Sequence, residues 1–278
     1  MASKISFTFF GTDEFAIGVL NTLKQNNLTP DLIITTPDKP QGRKLILTPP
    51  PVKVWAEENS VPLLQPEKLK DFVLPPTDIA VVASYGKILP ASLLTQPKFG
   101  FINVHPSLLP HYRGVAPLQT AILNGDTETG VTIMQVDAEM DHGAILAQKV
   151  LSLNQAEWLE ELRDTLAQLG GEMVAEVMPK IIAGQITAQA QNHAQATYTK
   201  KITKEAGEIN LSADPELNYR QIRAYTPWPG AYFFTEINGQ KKRVIIKKAR
   251  LIGDELVIDR VIPEGKKEVD YKNFTSTP

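Results

Sequence analysis

Ile5-Ser6-Phe7-Thr8-Phe9-Phe10-Gly11-Thr12-Asp13 is the stretch on which the fold turns. Its apolar run is nearly continuous, as a strand covered on both faces requires. Gly11-Thr12 ends the run and Asp13 is placed to cap a helix. Phe15, Ala16, Val19, Leu20 and Leu23 then recur along one helical face. Further short apolar runs follow at Leu32–Thr35, Ile79–Ala83, Ile102–His105 and Val131–Val136, alternating with helical segments. The alternation predicts an α/β fold with a Rossmann-like, doubly wound, mostly parallel sheet. Gly11-Thr12 lacks the full glycine pattern of a dinucleotide site, so NAD receives little support. Sheets of this kind bind ligands at the carboxyl ends of their strands. Gly11, Tyr85-Gly86, Asn103–Pro110 and Asp137–Asp141 are expected at those ends.

Two helices are expected over about 155–169 and 171–184, from Leu159, Leu162, Leu166 and Leu169 and then Met173, Val174 and Val177. The polar, Ala/Gln-rich stretch 185–199 reads as a connection. After it, Tyr232–Glu236 and Arg243–Ala249 alternate around Asn238-Gly239, a strong hairpin signal, and Leu256–Val261 follows. The division expected is a catalytic domain over 1–190, a linker over 191–202 and a small β domain over 203–278.

The 278 residues are 42% hydrophobic and 22% charged, which is ordinary for a globular protein. The chain holds no cysteine, which excludes disulfides, thiolate catalysis and Cys-bound zinc and suits a reducing cytosol. No stretch approaches the roughly 20 apolar residues of a membrane span, and the first apolar run is too short for a signal peptide. Charge is uneven along the chain. Residues 1–199 hold 14 Lys+Arg against 20 Asp+Glu, whereas residues 200–278 hold 15 against 11. Lys241, Lys242, Arg243, Lys247, Lys248 and Arg250 follow one another with no acidic residue between them. Such a block is either a solvated strand edge guarded by lysines or a patch that tracks phosphates.

The chemistry concentrates in Phe101-Ile102-Asn103-Val104-His105-Pro106-Ser107-Leu108-Leu109-Pro110 and in Met140-Asp141-His142-Gly143. Pro106 stops a strand that has just delivered an amide and an imidazole. Together, Asn103, His105 and Asp141 can take a proton from an attacking amine, stabilise an oxyanion and orient the imidazole. That set points to acyl or one-carbon transfer between two bound substrates, in which the enzyme itself need not be acylated. Taken singly, a histidine at a strand end is more often structural, and an asparagine before a turn is often a turn residue. No metal site is expected, because His105, His111, Asp141 and His142 match no compact ligand spacing.

Several segments together resemble the methionyl-tRNA formyltransferase family. They are Phe9-Phe10-Gly11-Thr12, Pro37-Asp38-Lys39-Pro40 with Gly42-Arg43, Asn103 to Pro110 with Tyr112-Arg113-Gly114, Thr129-Gly130-Val131-Thr132, Met140 to Gly143, Ile222 to Ala231, and Pro263-Glu264-Gly265-Lys266-Lys267. The Asn-His-Asp set is shared by all formyltetrahydrofolate-using transferases and hydrolases; the basic loop at 38–53 and Pro227-Trp228-Pro229-Gly230 favour the tRNA enzyme. The resemblance implies 10-formyltetrahydrofolate as donor substrate, methionyl initiator tRNA as acceptor, no metal, and a monomer in the cytoplasm. It places catalysis on Asn103, His105 and Asp141, and folate binding on Ser107, Leu108, Leu109, Pro110, Tyr85, Gly86, Ile88, Leu89 and Asp137. It places tRNA contacts on Arg43 and Lys44 and on Lys241, Lys242, Arg243, Lys247 and Lys248 of an OB-like C-terminal β-barrel.

Trp228 is expected in the core of that small domain. The chain departs from the family's pattern in two places. His142 stands where a small or hydroxyl residue is common, and is expected to touch Asp141; the β domain, at about 75 residues, is short for a full barrel. Sugar-nucleotide N-formyltransferase, formyltetrahydrofolate hydrolase and a non-catalytic tRNA-binding module are the rival readings.

Overall fold

The computed structural model describes residues 5–42, 44–237 and 239–275. In chain order the elements are β1 (Phe7–Gly11), α1 (Glu14–Gln25), β2 (Leu32–Ile34), β3 (Lys39–Gln41), β4 (Ile46–Thr48), α2 (Pro51–Glu58), β5 (Leu63–Leu64), β6 (Ile79–Ala83), α3 (Ala91–Leu94), β7 (Phe101–His105), α4 (Pro117–Asn124), β8 (Glu128–Gln135) and β9 (Ile145–Ser152). There follow α5 (Leu159–Ile182), α6 (Pro215–Tyr225), β10 (Tyr232–Ile237), β11 (Gln240–Ile252), β12 (Glu255–Pro263), β13 (Val269–Asp270) and α7 (Tyr271–Thr275). The chain forms two compact units. One comprises residues 1–114, 129–151 and 163–198; the other comprises 115–128, 152–162 and 199–278.

The first unit is built on a seven-stranded sheet in the order β5-β2-β1-β6-β7-β8-β9. Strands β5, β2, β1, β6 and β7 are parallel, and every residue of β1 is buried, as its apolar run requires. Strand order reverses between β1 and β6, the place at which such sheets bind ligands, and there Thr12 Oγ1 donates to the Tyr85 carbonyl at 2.8 Å. The Asp13 side chain caps α1, accepting from the amides of Phe15 and Ala16.

Two expectations need correction here. Residues 159–182 form one helix, not two broken at Gly170-Gly171. The glycines serve packing rather than a break: a Cβ on Gly170 would lie 2.5 Å from Val104 Cγ1, and one on Gly171 2.5 Å from Thr22 Cβ. Gly18 of α1 likewise meets the Cβ of Ala167. Helix α5 therefore lies flush against α1 and the back of β7. The second correction concerns β8, which runs antiparallel to β7 with Ile102 opposite Gln135 and His105 opposite Thr132. Asp137 thus emerges beside the amino end of β7, not the carboxyl end.

In the second unit, an antiparallel sheet of four strands runs in the order β10-β11-β12-β13. Its inner face closes on Ile209, Ile222, Ala231, Phe233, Val244, Ile246, Ala249 and Val261. Strands β10 and β11 meet with Ile237 opposite Gln240, leaving Gly239 in the turn at φ +71°, while its partner Asn238 lies outside the described residues. The aromatic packed on this core from a distant segment is Trp158; Trp228 is 52% exposed, contrary to expectation. Helix α6 was open to sequence reading and was missed: Asp214 caps it, accepting from the Leu217 amide at 2.8 Å, and Pro215 occupies its first turn.

Candidate active site

The two-residue period of β7 puts Asn103 and His105 on one face and Ile102 and Val104 on the other. His105 is buried, and its Nε2 lies 3.0 Å from the Tyr112 carbonyl oxygen. A carbonyl only accepts, so Nε2 carries the hydrogen and the neutral ring keeps its lone pair on Nδ1. That Nδ1 faces Asp141 Oδ1 at 3.6 Å, too far for a hydrogen bond. Asn103 Nδ2 lies 3.5 Å from the same oxygen. Asp141 Oδ2 accepts the Gly114 amide at 2.7 Å, and Asp141 itself sits at φ +51°. The three residues expected to act together are therefore brought together, by a strand end and by the loop 137–143 that folds back along the strand.

Beyond His105 the chain turns sharply through Ser107, Leu108, Leu109 and Pro110. The buried Thr132 hydroxyl ties this turn, donating to the Ser107 carbonyl at 2.6 Å and accepting the Leu109 amide at 3.1 Å. Gln148 Nε2 reaches both the Leu109 carbonyl and the Thr132 hydroxyl at 2.9 Å. The Ser107 hydroxyl is committed to the His111 carbonyl at 2.6 Å.

Asp137 lines a cavity of about 190 Å³ with Leu94, Phe99, Gly100, Phe101, Gln135, Val136, Gly143 and Ala144. That is small beside the ~300–1,000 Å³ of pockets enclosing a whole drug-sized ligand. Of the other expected folate residues, Tyr85 and Leu89 are packed in the core with Phe10 and Phe101, Gly86 sits at φ +76°, and Ile88 is 90% exposed. Burial pushes the Tyr85 phenol up to about 12, and its hydroxyl has no hydrogen-bond partner among the described residues. Tyr85→Phe is therefore expected to raise stability by about 1 kcal/mol, read as a higher Tm; a lower Tm would show that the hydroxyl is paired.

His142 does not touch Asp141 as expected. Its Nδ1 bonds Asp137 Oδ2 at 2.7 Å, and its ring stacks on His193 at 4.0 Å. The reason is direction: Asp137 is free to accept on the side where the loop turns, whereas both oxygens of Asp141 face β7 and Gly114.

The basic residues divide. Lys44 is exposed in the turn between β3 and β4, next to the exposed apolar residues Leu45, Ile46 and Leu47; Arg43 lies outside the described residues. Along β11, Lys241 and Arg243 share a face with Phe234 and Tyr232, lying 4.4 and 5.0 Å from the two ring centres respectively. Lys242 pairs with Thr235 and points to the opposite face. A bulge between Ile246 and Ala249 changes the register around Lys247 and Lys248. Arg250 is held by Asp259 through two hydrogen bonds, which keep that carboxyl below its usual range.

Sequence reasoning gave no role to two residues beside Asp141. Arg113 is 2% exposed, and Gln191 is buried and donates to the carbonyls of Asp141 and Gly143 at 2.9 and 2.8 Å. Arg113 stood within a quoted motif; Gln191 lay in a polar, Ala/Gln-rich stretch with nothing to mark it.

Comparison with known proteins gives the family. The sequence pattern of Formyl transferase matches residues 3–178, and that of Formyl transferase, C-terminal domain, matches 201–256. A methionyl-tRNA formyltransferase of Listeria welshimeri is 38% identical, over 96% of this chain and 94% of its own. Among solved structures, a methionyl-tRNA formyltransferase from Clostridium thermocellum superposes with a TM-score of 0.59 at 18% identity, covering 96% of this chain and 99% of its own. A 4-N formyltransferase from Francisella tularensis superposes with a TM-score of 0.67 at 22% identity, covering 89% of this chain and 100% of its own. These two likenesses speak for the fold alone. With both sequence patterns matched in order and a relative aligned almost end to end, the chain belongs to the methionyl-tRNA formyltransferases of the formyl transferase family.

Proposed function

We propose that this chain moves the formyl group of 10-formyltetrahydrofolate onto the α-amino group of methionyl initiator tRNA, acting as a monomer in the cytoplasm. One observation carries the chemistry: the Nδ1 lone pair of His105 is turned toward Asp141, with the Asn103 amide beside it. An α-amino group titrates near 7.7–8.0, so its free base is present near neutrality. The amine nitrogen attacks the formyl carbon and the carbonyl electrons move to oxygen. The Asn103 NH₂ is suited to donate to that oxyanion, an interaction typically worth a few kcal/mol. His105 Nδ1 takes the proton released on attack, and Asp141 stabilises the resulting imidazolium. Collapse breaks the bond from carbon to N10, and the proton passes to that nitrogen. One C–N bond forms, one breaks, and no group is left on the enzyme.

The donor reading is supported by the cavity of about 190 Å³ that Asp137 lines together with Phe101 and Val136. The acceptor reading is supported by the end-to-end alignment with a relative named methionyl-tRNA formyltransferase. It is also supported by the face of β10 and β11 that carries Lys241 and Arg243, two cations of the kind that track a phosphate backbone.

Two measurements test this. In a formyl-transfer assay with methionyl initiator tRNA, an amino-sugar nucleotide and water as competing acceptors, formyl-methionyl-tRNA is the expected dominant product. Formylated sugar nucleotide or free formate in its place would move the chain to another acceptor. Second, Lys241→Gln with Arg243→Gln should weaken tRNA binding and make the log–log salt dependence shallower by about two, with kcat at saturation unchanged. An unaltered salt slope removes this face from the tRNA contact.

A further inference from the structure

The loop 137–143 carries Asp141, and Asp141 holds a left-handed backbone at φ +51°, a conformation that must be sustained by its surroundings. What surrounds it is a chain of oriented hydrogen bonds. Gln191 Oε1 accepts from Arg113 Nε at 3.2 Å and from Arg113 Nη2 at 2.6 Å. A guanidinium only donates, so the amide orientation is fixed and its NH₂ must point the other way. There it donates to the carbonyl oxygens of Asp141 and Gly143. Arg113 Nη2 also lies 2.9 Å from His193 Nδ1, which must accept; the His193 ring stacks on His142, and His142 bonds Asp137 at the other end of the loop. The residue after Arg113, Gly114, gives its amide to the Asp141 carboxylate.

We propose that Arg113 and Gln191 are positioning residues of the transfer reaction: the buried guanidinium orients the Gln191 amide, and the amide holds the Asp141 carboxylate beside His105. The inference rests on the function proposed above. A buried charge needs such partners for its own sake, so a merely structural role must be separated from a positioning one.

Gln191→Glu separates them. Glutamate keeps the oxygen that receives Arg113 and loses both N–H groups that hold the loop, whereas the near-isosteric Gln191→Met loses both halves. If the amide positions Asp141, both variants lose tenfold or more in kcat with KM for tRNA unchanged, and Gln191→Glu, which keeps its contact with Arg113, melts closer to wild type than Gln191→Met does. Faster hydrogen exchange at the Gly114 amide should accompany the loss, a readout independent of turnover. If the pair is structural only, Gln191→Glu keeps wild-type kcat and Gly114 protection while Gln191→Met melts early; that result overturns the proposal. A wild-type protein that forms no formyl-methionyl-tRNA overturns the proposed function instead, and the exchange experiment still decides whether the amide holds the loop.

Discussion

Asp141→Asn is expected to lower kcat for formyl transfer by about 10²–10⁴-fold, the range typical of positioned acid–base groups, with Tm nearly unchanged. Asparagine is the most tolerant replacement for a residue at φ +51°, so the backbone has little reason to move. Its oxygen can still accept the Gly114 amide. What changes is the group facing His105. A neutral NH₂ now points at the Nδ1 lone pair, donating to the base it should leave free, and no negative charge remains to favour the imidazolium. Single-turnover assays with preloaded folate substrate isolate the step, and a rate within threefold of wild type would remove Asp141 from the chemistry. Asp141→Ala, by contrast, should lose stability as well, because alanine pays a steric cost in the left-handed region.

The second large effect reaches the site from behind. Gly170→Val should destabilise the protein by about 1–3 kcal/mol, as overpacked core positions do, and should depress kcat in the fraction that stays folded. The first Cβ alone would come within 2.5 Å of Val104 Cγ1, and Val104 sits between Asn103 and His105 on the same strand. Helix propensity favours valine over glycine here by only a few tenths of a kcal/mol, so the clash decides the sign. Urea denaturation of Gly170→Val, Val104→Ala and the double variant forms a cycle. A coupling of at least 0.5 kcal/mol is expected, because the second change makes room for the first; strict additivity would mean that the helix and strand do not press on each other.

Much of this architecture was legible in the chain. The apolar runs of β1, β6 and β7 are short and nearly unbroken, and buried parallel strands leave no other pattern. Asn103, His105 and Asp141 were legible as candidates, because an amide, an imidazole and a carboxylate near strand ends suggest one kind of chemistry. Their convergence was not, since Asn103 and Asp141 stand 38 residues apart and spacing carries no direction. The same blindness hid the reversal of β8: a buried strand reads alike in both directions. Gly170-Gly171 looked like a helix end because glycine is a poor helix former, and only the neighbour that fills its missing side chain shows otherwise. Trp158 and Trp228 could not be ranked for burial from composition. Gln191 has no periodic or charged signature, so its place against Arg113 could be known only from coordinates.

Because the segment from Asp137 to Gly143 is anchored at both ends, its length matters more than the identity of its middle. Ala138 and Met140 stand open to solvent and can be exchanged freely, whereas Glu139 Oε1 lies 4.0 Å from His142 Nε2. One inserted residue, however, adds up to ~3.3–3.6 Å of chain, more than the reach of a hydrogen bond. Engineered libraries built on this scaffold should therefore vary the lettering of the loop while keeping its count.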